Sequence, residues 1–204
     1  MKKHLTLLTY LATAHLGGLV CLMVFRLCFF FSLHSALAAE ATSAWPAFLR
    51  GLWLDNVIGS YILLLPLLVL LVAQLCGCGG KGLLRFLNIW MGGFYALAFA
   101  AAAANIPFYN YFNQPLNSTI WQWAAYPSQT LGMLFGEATW WKYIALWVVV
   151  TAVYAYGLFR WRRYFWHRLP AFPKKWRERG VSLALWLPIC GLCVLGARGR
   201  LGYN

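Results

Sequence analysis

Carboxylates are almost missing from this chain: Glu40, Asp55, Glu137 and Glu178 are the only four in 204 residues. Hydrolytic and phosphoryl-transfer metal centres draw their ligands from clusters of Asp, Glu, His and Cys. Four scattered acids and the histidines His4, His15, His34 and His167 form no such cluster. Glycine-rich phosphate loops, nucleophile elbows and paired acidic motifs are missing as well. The chain therefore shows no catalytic centre of its own, and neither a metal nor another cofactor is expected in it. Charge of either sign is scarce, at 10% of residues, which excludes the balance of an ordinary soluble domain. The six cysteines lack the pattern of a disulfide framework. Cys76-Gly-Cys78 and Cys190-x-x-Cys193 have no second pair or histidines to complete a zinc site, so they read as small packing residues and no disulfide is predicted.

What the chain has in quantity is apolar length. Hydrophobic residues make up 62% of it, with 12 tryptophans. A lipid-spanning helix needs about 20 mostly apolar residues, and lipid leaves helices and closed barrels as the only spanning forms. Unbroken runs such as Tyr61 to Ala73 lack the alternation of a barrel strand. The predicted fold is thus an all-α integral membrane domain over 1–197 with five transmembrane helices, at about 5–38, 52–75, 83–106, 140–159 and 181–197. The first run resembles a signal peptide, since Ala36-Leu37-Ala38 suits cleavage. It is longer than the roughly 7–15 apolar residues of a signal core and contains Arg26, so a retained anchor is expected.

Twelve of the 17 lysines and arginines lie in three clusters: Lys2 and Lys3, Lys81 and Arg85, and the run Arg160 to Arg179. Five helices place all three on one side. The positive-inside rule makes that side cytoplasmic, with the N-terminus inside and the C-terminus outside. The same clustering argues for anionic lipid headgroups as partners and against nucleic acid. Gly92, Ala96, Ala100 and Ala104 recur every four residues in the third helix, a face where another backbone can approach closely. The 107–139 connection carries no lysine or arginine and many aromatics, and short interfacial helices are expected within it, one starting near Ser128. Asn117-Ser118-Thr119 matches a glycosylation sequon, a weak signal.

Charge at membrane depth is costly and usually paired. Arg26 admits three readings: an ion pair with Asp55, snorkelling to the interface, or a hold on a lipid phosphate. Candidate lipid or substrate contacts are Arg26, Asp55, Asn56, Asn105, Tyr109, Asn110, Tyr111 and Glu137, all placed in or near the outer half by this topology.

Four segments, taken in order, carry a resemblance: Leu54-Asp55-Asn56-Val57-Ile58-Gly59-Ser60-Tyr61, Ala104-Asn105-Ile106-Pro107-Phe108-Tyr109-Asn110-Tyr111-Phe112, Asn117-Ser118-Thr119-Ile120, and Arg198-Gly199-Arg200-Leu201-Gly202-Tyr203-Asn204. Together they resemble the N-terminal membrane domain of the lipoteichoic acid synthase-like sulfatase family, in its Bacteroidetes branch. The resemblance implies a bacterial inner-membrane protein, with residues 198–204 beginning the linker to an extracytoplasmic domain of the alkaline phosphatase superfamily. It implies a metal-dependent phosphoglycerol or phosphoethanolamine type transferase or a sulfatase, whose threonine nucleophile and divalent metal belong to that further domain. This chain would then supply anchoring and lipid access, with membrane phospholipids and its own outer domain as partners. The alternatives are a small transporter, which needs polar residues at a midplane site, and a stand-alone envelope scaffold. If the first helix is a retained anchor, intact-mass measurement of the purified protein finds Lys2 to Ala39 present; a mature chain starting at Ala39 or Glu40 contradicts it.

Overall fold

A computed structural model of the chain describes residues 2–39, 45–117, 138–167 and 176–198, together with 125, 126, 128, 129, 132 and 136. Among these residues there are five long helices and no strand: α1 (Lys2–Ala39), α2 (Trp45–Cys76), α3 (Lys81–Phe112), α4 (Ala138–Trp166) and α5 (Trp176–Arg198). Each contains a stretch long and apolar enough to cross a membrane, at Thr6–Leu33, Phe48–Cys76, Lys81–Phe112, Trp140–Trp166 and Arg179–Arg198. The fold is all-α and of the multi-pass membrane type. Its outer surface carries large apolar side chains such as Val20, Phe31, Ile89, Leu97, Val153 and Leu192. So much exposed apolar surface is a liability in water and ordinary in lipid.

The helices run well past the expected boundaries. α2 starts at Trp45 rather than 52, α3 continues to Phe112 rather than 106, α4 to Trp166 rather than 159, and α5 starts at Trp176 rather than 181. Hydropathy marks the hydrocarbon thickness, whereas a helix continues into the interface wherever aromatic and basic side chains suit it. Pro107 does not stop α3. It lies buried inside the helix, as Pro66 does in α2, and Pro188 is likewise helical in α5. Neighbouring helices can compensate for the bond a proline omits. The actual stop is Asn113, in the left-handed conformation with its N–H donated to Tyr109 O at 2.8 Å. α2 ends on Gly77, also left-handed, with Cys78 N–H bonded to Ala73 O and Gly77 N–H to Gln74 O. That paired closure is the Schellman arrangement, and it turns the chain at once into α3. Ser128, Gln129, Gly132 and Gly136 are helical, in the connection where short helices are predicted; Leu131, Leu134 and Phe135 lie outside the described residues.

The starts of α1, α3 and α5 and the ends of α2 and α4 lie together at what we term the basic end. Lys81 there sits over the Trp166 ring, and Tyr10 bonds Asn88 across α1 and α3. Toward the far end Arg26 meets Asp55, and nearer the middle of α2 Gly196 of α5 faces Ser60. α1 and α3 form the centre. Leu84, Leu87, Met91, Tyr95 and Phe99 repeat at helical spacing along the fully buried stripe of α3, against Leu7, Tyr10 and Leu11 of α1. The small-residue row of α3 receives α4. A methyl on Gly92 would lie 3.6 Å from Leu158, and Trp147 Nε1 donates to Ala96 O at 2.9 Å. α5 packs chiefly along α2.

Lipid tails compete with side chains for apolar contact, so close packing and interhelical hydrogen bonds must hold the helices together. A repeated device supplies the bonds: a side-chain donor on one helix reaches a main-chain carbonyl on another. Trp90 Nε1 donates to Ile62 O, Trp147 Nε1 to Ala96 O, Tyr154 Oη to Ala14 O, Cys193 Sγ to Ser60 O and Arg26 Nη2 to Gly51 O. The bonded pairs are α3 with α2, α4 with α3, α4 with α1, α5 with α2 and α1 with α2. All six cysteines are free thiols; Cys190 is buried and Cys21, Cys28 and Cys193 are half-buried among the helices, whereas Cys76 and Cys78 at the α2 turn are exposed and do not have the packing role read for them.

Gly18 has no room for a side chain, because a methyl there would run into the Tyr95 ring. Gly93, one turn from the same region on α3, faces open space. Gly18→Ala is expected to lower stability by about 1–3 kcal/mol through overpacking. Gly93→Ala is expected to stay within about 0.5 kcal/mol. Thermal unfolding in detergent separates the two.

Candidate functional site

The far end gathers most of the residues singled out by the sequence. Arg26 projects from α1 toward α2, and Asp55 lies ten residues into α2 because that helix starts at Trp45. Arg26 Nε donates to Asp55 Oδ2 at 3.0 Å and Nη2 to Asp55 Oδ1 at 2.7 Å. Nη2 also donates to Gly51 O at 2.6 Å. The side chains are 22% and 11% exposed, so the pair is largely removed from solvent. A guanidinium and a carboxylate in this two-bond geometry form the strongest class of protein ion pair. Of the three readings of Arg26, the ion pair is the one realised, and the head does not snorkel. The site depends on Gly51: any side chain there would collide with the Arg26 guanidinium.

Asn56, the next residue, serves a different cluster. His15 Nδ1 lies 2.7 Å from the Tyr95 hydroxyl, which also donates to His15 O at 3.4 Å, and the imidazole bonds the Asn56 side chain. Ser60 Oγ donates to Asn56 O at 2.8 Å, and Cys193 Sγ to Ser60 O at 3.2 Å. His15 is nine residues past Thr6, about 14 Å along the helix at ~1.5 Å per residue. A connected polar core therefore sits near mid-membrane between α1, α2, α3 and α5. Sequence reasoning passed over His15, Tyr95, Gly18 and Gly59. The available signal was Asn56 and Ser60 one turn apart on α2, with one histidine at mid-span. The core is filled by its own side chains: a methyl on Gly59 would meet both His15 and the Tyr95 hydroxyl, at 2.5 and 2.8 Å.

The other candidates divide. Asn105 is structural, with its Oδ1 accepting the Leu116 N–H at 2.8 Å, so the chain leaving α3 folds back onto it. Tyr109 stacks edge-on against Phe29 at 5.1 Å, one turn beyond Arg26 on α1. Asn110 is exposed, and Tyr111, 71% exposed, touches Phe112. Glu137 lies outside the described residues. The structure thus joins Arg26 to Asp55 and sets Tyr109 above them; Asn56 and Asn105 are spent on internal bonds. Among the described residues no three His, Cys, Asp or Glu side chains are grouped to hold a metal ion.

No protein family model matches the chain, and no curated protein or solved structure does so either.

Removing one member of a buried ion pair strands the other charge, at a cost of about 3–5 kcal/mol, whereas replacing both with apolar residues is often neutral. Arg26→Met and Asp55→Leu are each expected to destabilise strongly, and the double variant to recover most of the loss. Equal instability of all three in thermal unfolding would contradict a pairing role.

Proposed function

We propose that this chain is the membrane domain of a lipid-headgroup phosphotransferase or sulfatase-like enzyme, anchoring it and giving it access to phospholipid. The observation that carries the reading is spatial. Segment 104–112 forms the far end of α3, segment 54–61 starts beside the Arg26–Asp55 pair and runs toward mid-membrane, and Asn117 and Arg198, the first residues of the other two, follow α3 and close α5. Exposed aromatics lie at the same end, among them Trp45, Trp53 and Tyr111. Such side chains mark a headgroup interface. In this reading the basic end faces the cytoplasm of a bacterial inner membrane and the far end faces outward, where the enzyme domain and its divalent metal act.

Arg26 enters with a reduced role. Its charge is already matched by Asp55, so the pair offers a phosphate no net attraction and acts by fixing α1 against α2 beneath the interface. The transporter alternative draws on the polar core around His15, where a cargo site would sit. The His15 imidazole and the Tyr95 ring fill that space, which favours the anchoring reading.

The test is a headgroup assay on the full-length gene product in vesicles. Fluorescent phosphatidylglycerol or phosphatidylethanolamine should yield diacylglycerol, and chelation of divalent metal should abolish the yield. Proteolytic release of the outer domain should cut turnover of the lipid by tenfold or more, about the loss of one well-made binding contact, while a water-soluble phosphodiester is still cleaved. A gene product without a further domain, or no diacylglycerol from either lipid, overturns the proposal.

A further inference from the structure

We propose a second lipid site, at the basic end and independent of the enzyme reading: one anionic glycerophospholipid held by Lys81 and Arg162 around Trp166. Lys81 Nζ lies 5.2 Å from the centre of the Trp166 ring and the Arg162 guanidinium carbon 5.8 Å from the same centre. Arg162 also stacks on Phe159 at 5.5 Å. Two cations from different helices thus share one indole, with an exposed phenyl ring below for acyl chains.

The surroundings hold this arrangement in place. Tyr10 Oη donates to Asn88 Oδ1 at 2.9 Å, tying α1 to α3, and Trp161 Nε1 donates to Thr13 Oγ1, tying α4 to α1. Phe165 wedges edge-on between Tyr10 and Trp161, at 5.7 and 5.3 Å. A site built on side chains fixed this way loses little freedom when a ligand arrives.

Charge then identifies the ligand. Among the described residues neither Lys81 nor Arg162 makes a hydrogen bond or ion pair, and Arg162 Nε is buried with no acceptor. The chain has little to offer them. Four acids stand against 17 lysines and arginines in the whole chain, and one of the four, Asp55, is already held by Arg26. Residues 168–175 contain three further basic residues and no acid. An excess of 13 positive charges calls for counter-anions from outside the protein. Tryptophan and basic side chains at a helix end sit at headgroup depth, where the abundant anion is a phosphodiester. Gly80 and Gly82, beside Lys81, face open space that a headgroup can enter.

The experiment is native mass spectrometry of the whole protein released from nanodiscs made of equal parts phosphatidylcholine and phosphatidylglycerol. Wild type should retain phosphatidylglycerol in preference, mainly as a single adduct. Lys81→Gln and Arg162→Gln should each reduce that adduct about fivefold, the weight of one basic side chain near an anionic surface. Arg160→Gln, which removes the same charge from an exposed residue on α4, should leave it within about twofold. Equal losses in all three variants would mean diffuse attraction and overturn the site, as would retention of the two lipids alike. Displacement by millimolar inorganic phosphate would identify a free-anion site and overturn the lipid assignment. Lys81 is exposed at the start of α3, so its variant decides the matter should Arg162→Gln fail to fold.

Discussion

The Tyr95 ring has no exposed surface, and three helices are arranged around it. Gly18 of α1 yields the space its ring occupies, its hydroxyl meets His15, and Gly59 of α2 lies flat against that hydroxyl. On the α4 side Tyr154 packs on the same ring at 5.3 Å and sends its own hydroxyl to Ala14 O. In water such a ring would be held by the hydrophobic effect, but between lipid-exposed helices that force is largely absent. Shape and the two hydroxyl bonds do the holding. The glycines at 18 and 59 follow from this constraint, since they mark where backbone must come close enough for a tyrosine to span the gap.

Outward from Tyr95, the same solution recurs with different side chains. A main-chain carbonyl in a helix has a second lone pair beyond the one its own ladder uses, and this bundle uses it as the acceptor for Trp90, Trp147, Tyr154, Cys193 and Arg26. Tryptophan suits the task because its body is apolar and its single N–H requires a partner when buried. Trp186 is the exception, fully buried in α5 with its N–H unpartnered, as is Gln74 Oε1 on α2. Thr151 Oγ1 on α4 is unpartnered too, so the unmet groups are spread over α2, α4 and α5.

How much of this could be read from sequence differs by level. The existence of five helices follows from apolar run length alone, and the small-residue row from Gly92 to Ala104 correctly announced a close helix neighbour. Helix ends were missed by five to seven residues wherever Trp, Tyr and Arg take over from Leu and Val, because hydropathy senses the lipid and not the backbone. Arg26 and Asp55 were paired by sign and depth. The His15–Tyr95 contact spans 80 residues and depends on the rotation of three helices about their axes, which no local pattern encodes. Asn105 illustrates the converse: its place in the outer half made it a candidate lipid contact, yet its oxygen accepts the Leu116 N–H and closes the turn there.

The ion pair has an electrical consequence. A lone arginine at the depth of Arg26 would couple to the membrane voltage, at up to ~2.3 kcal/mol per 100 mV for a full crossing. Joined to Asp55 at 2.7 Å it presents a short dipole with no net charge. The field then has almost nothing to pull on, and the α1–α2 contact keeps its geometry whether the membrane is energised or collapsed.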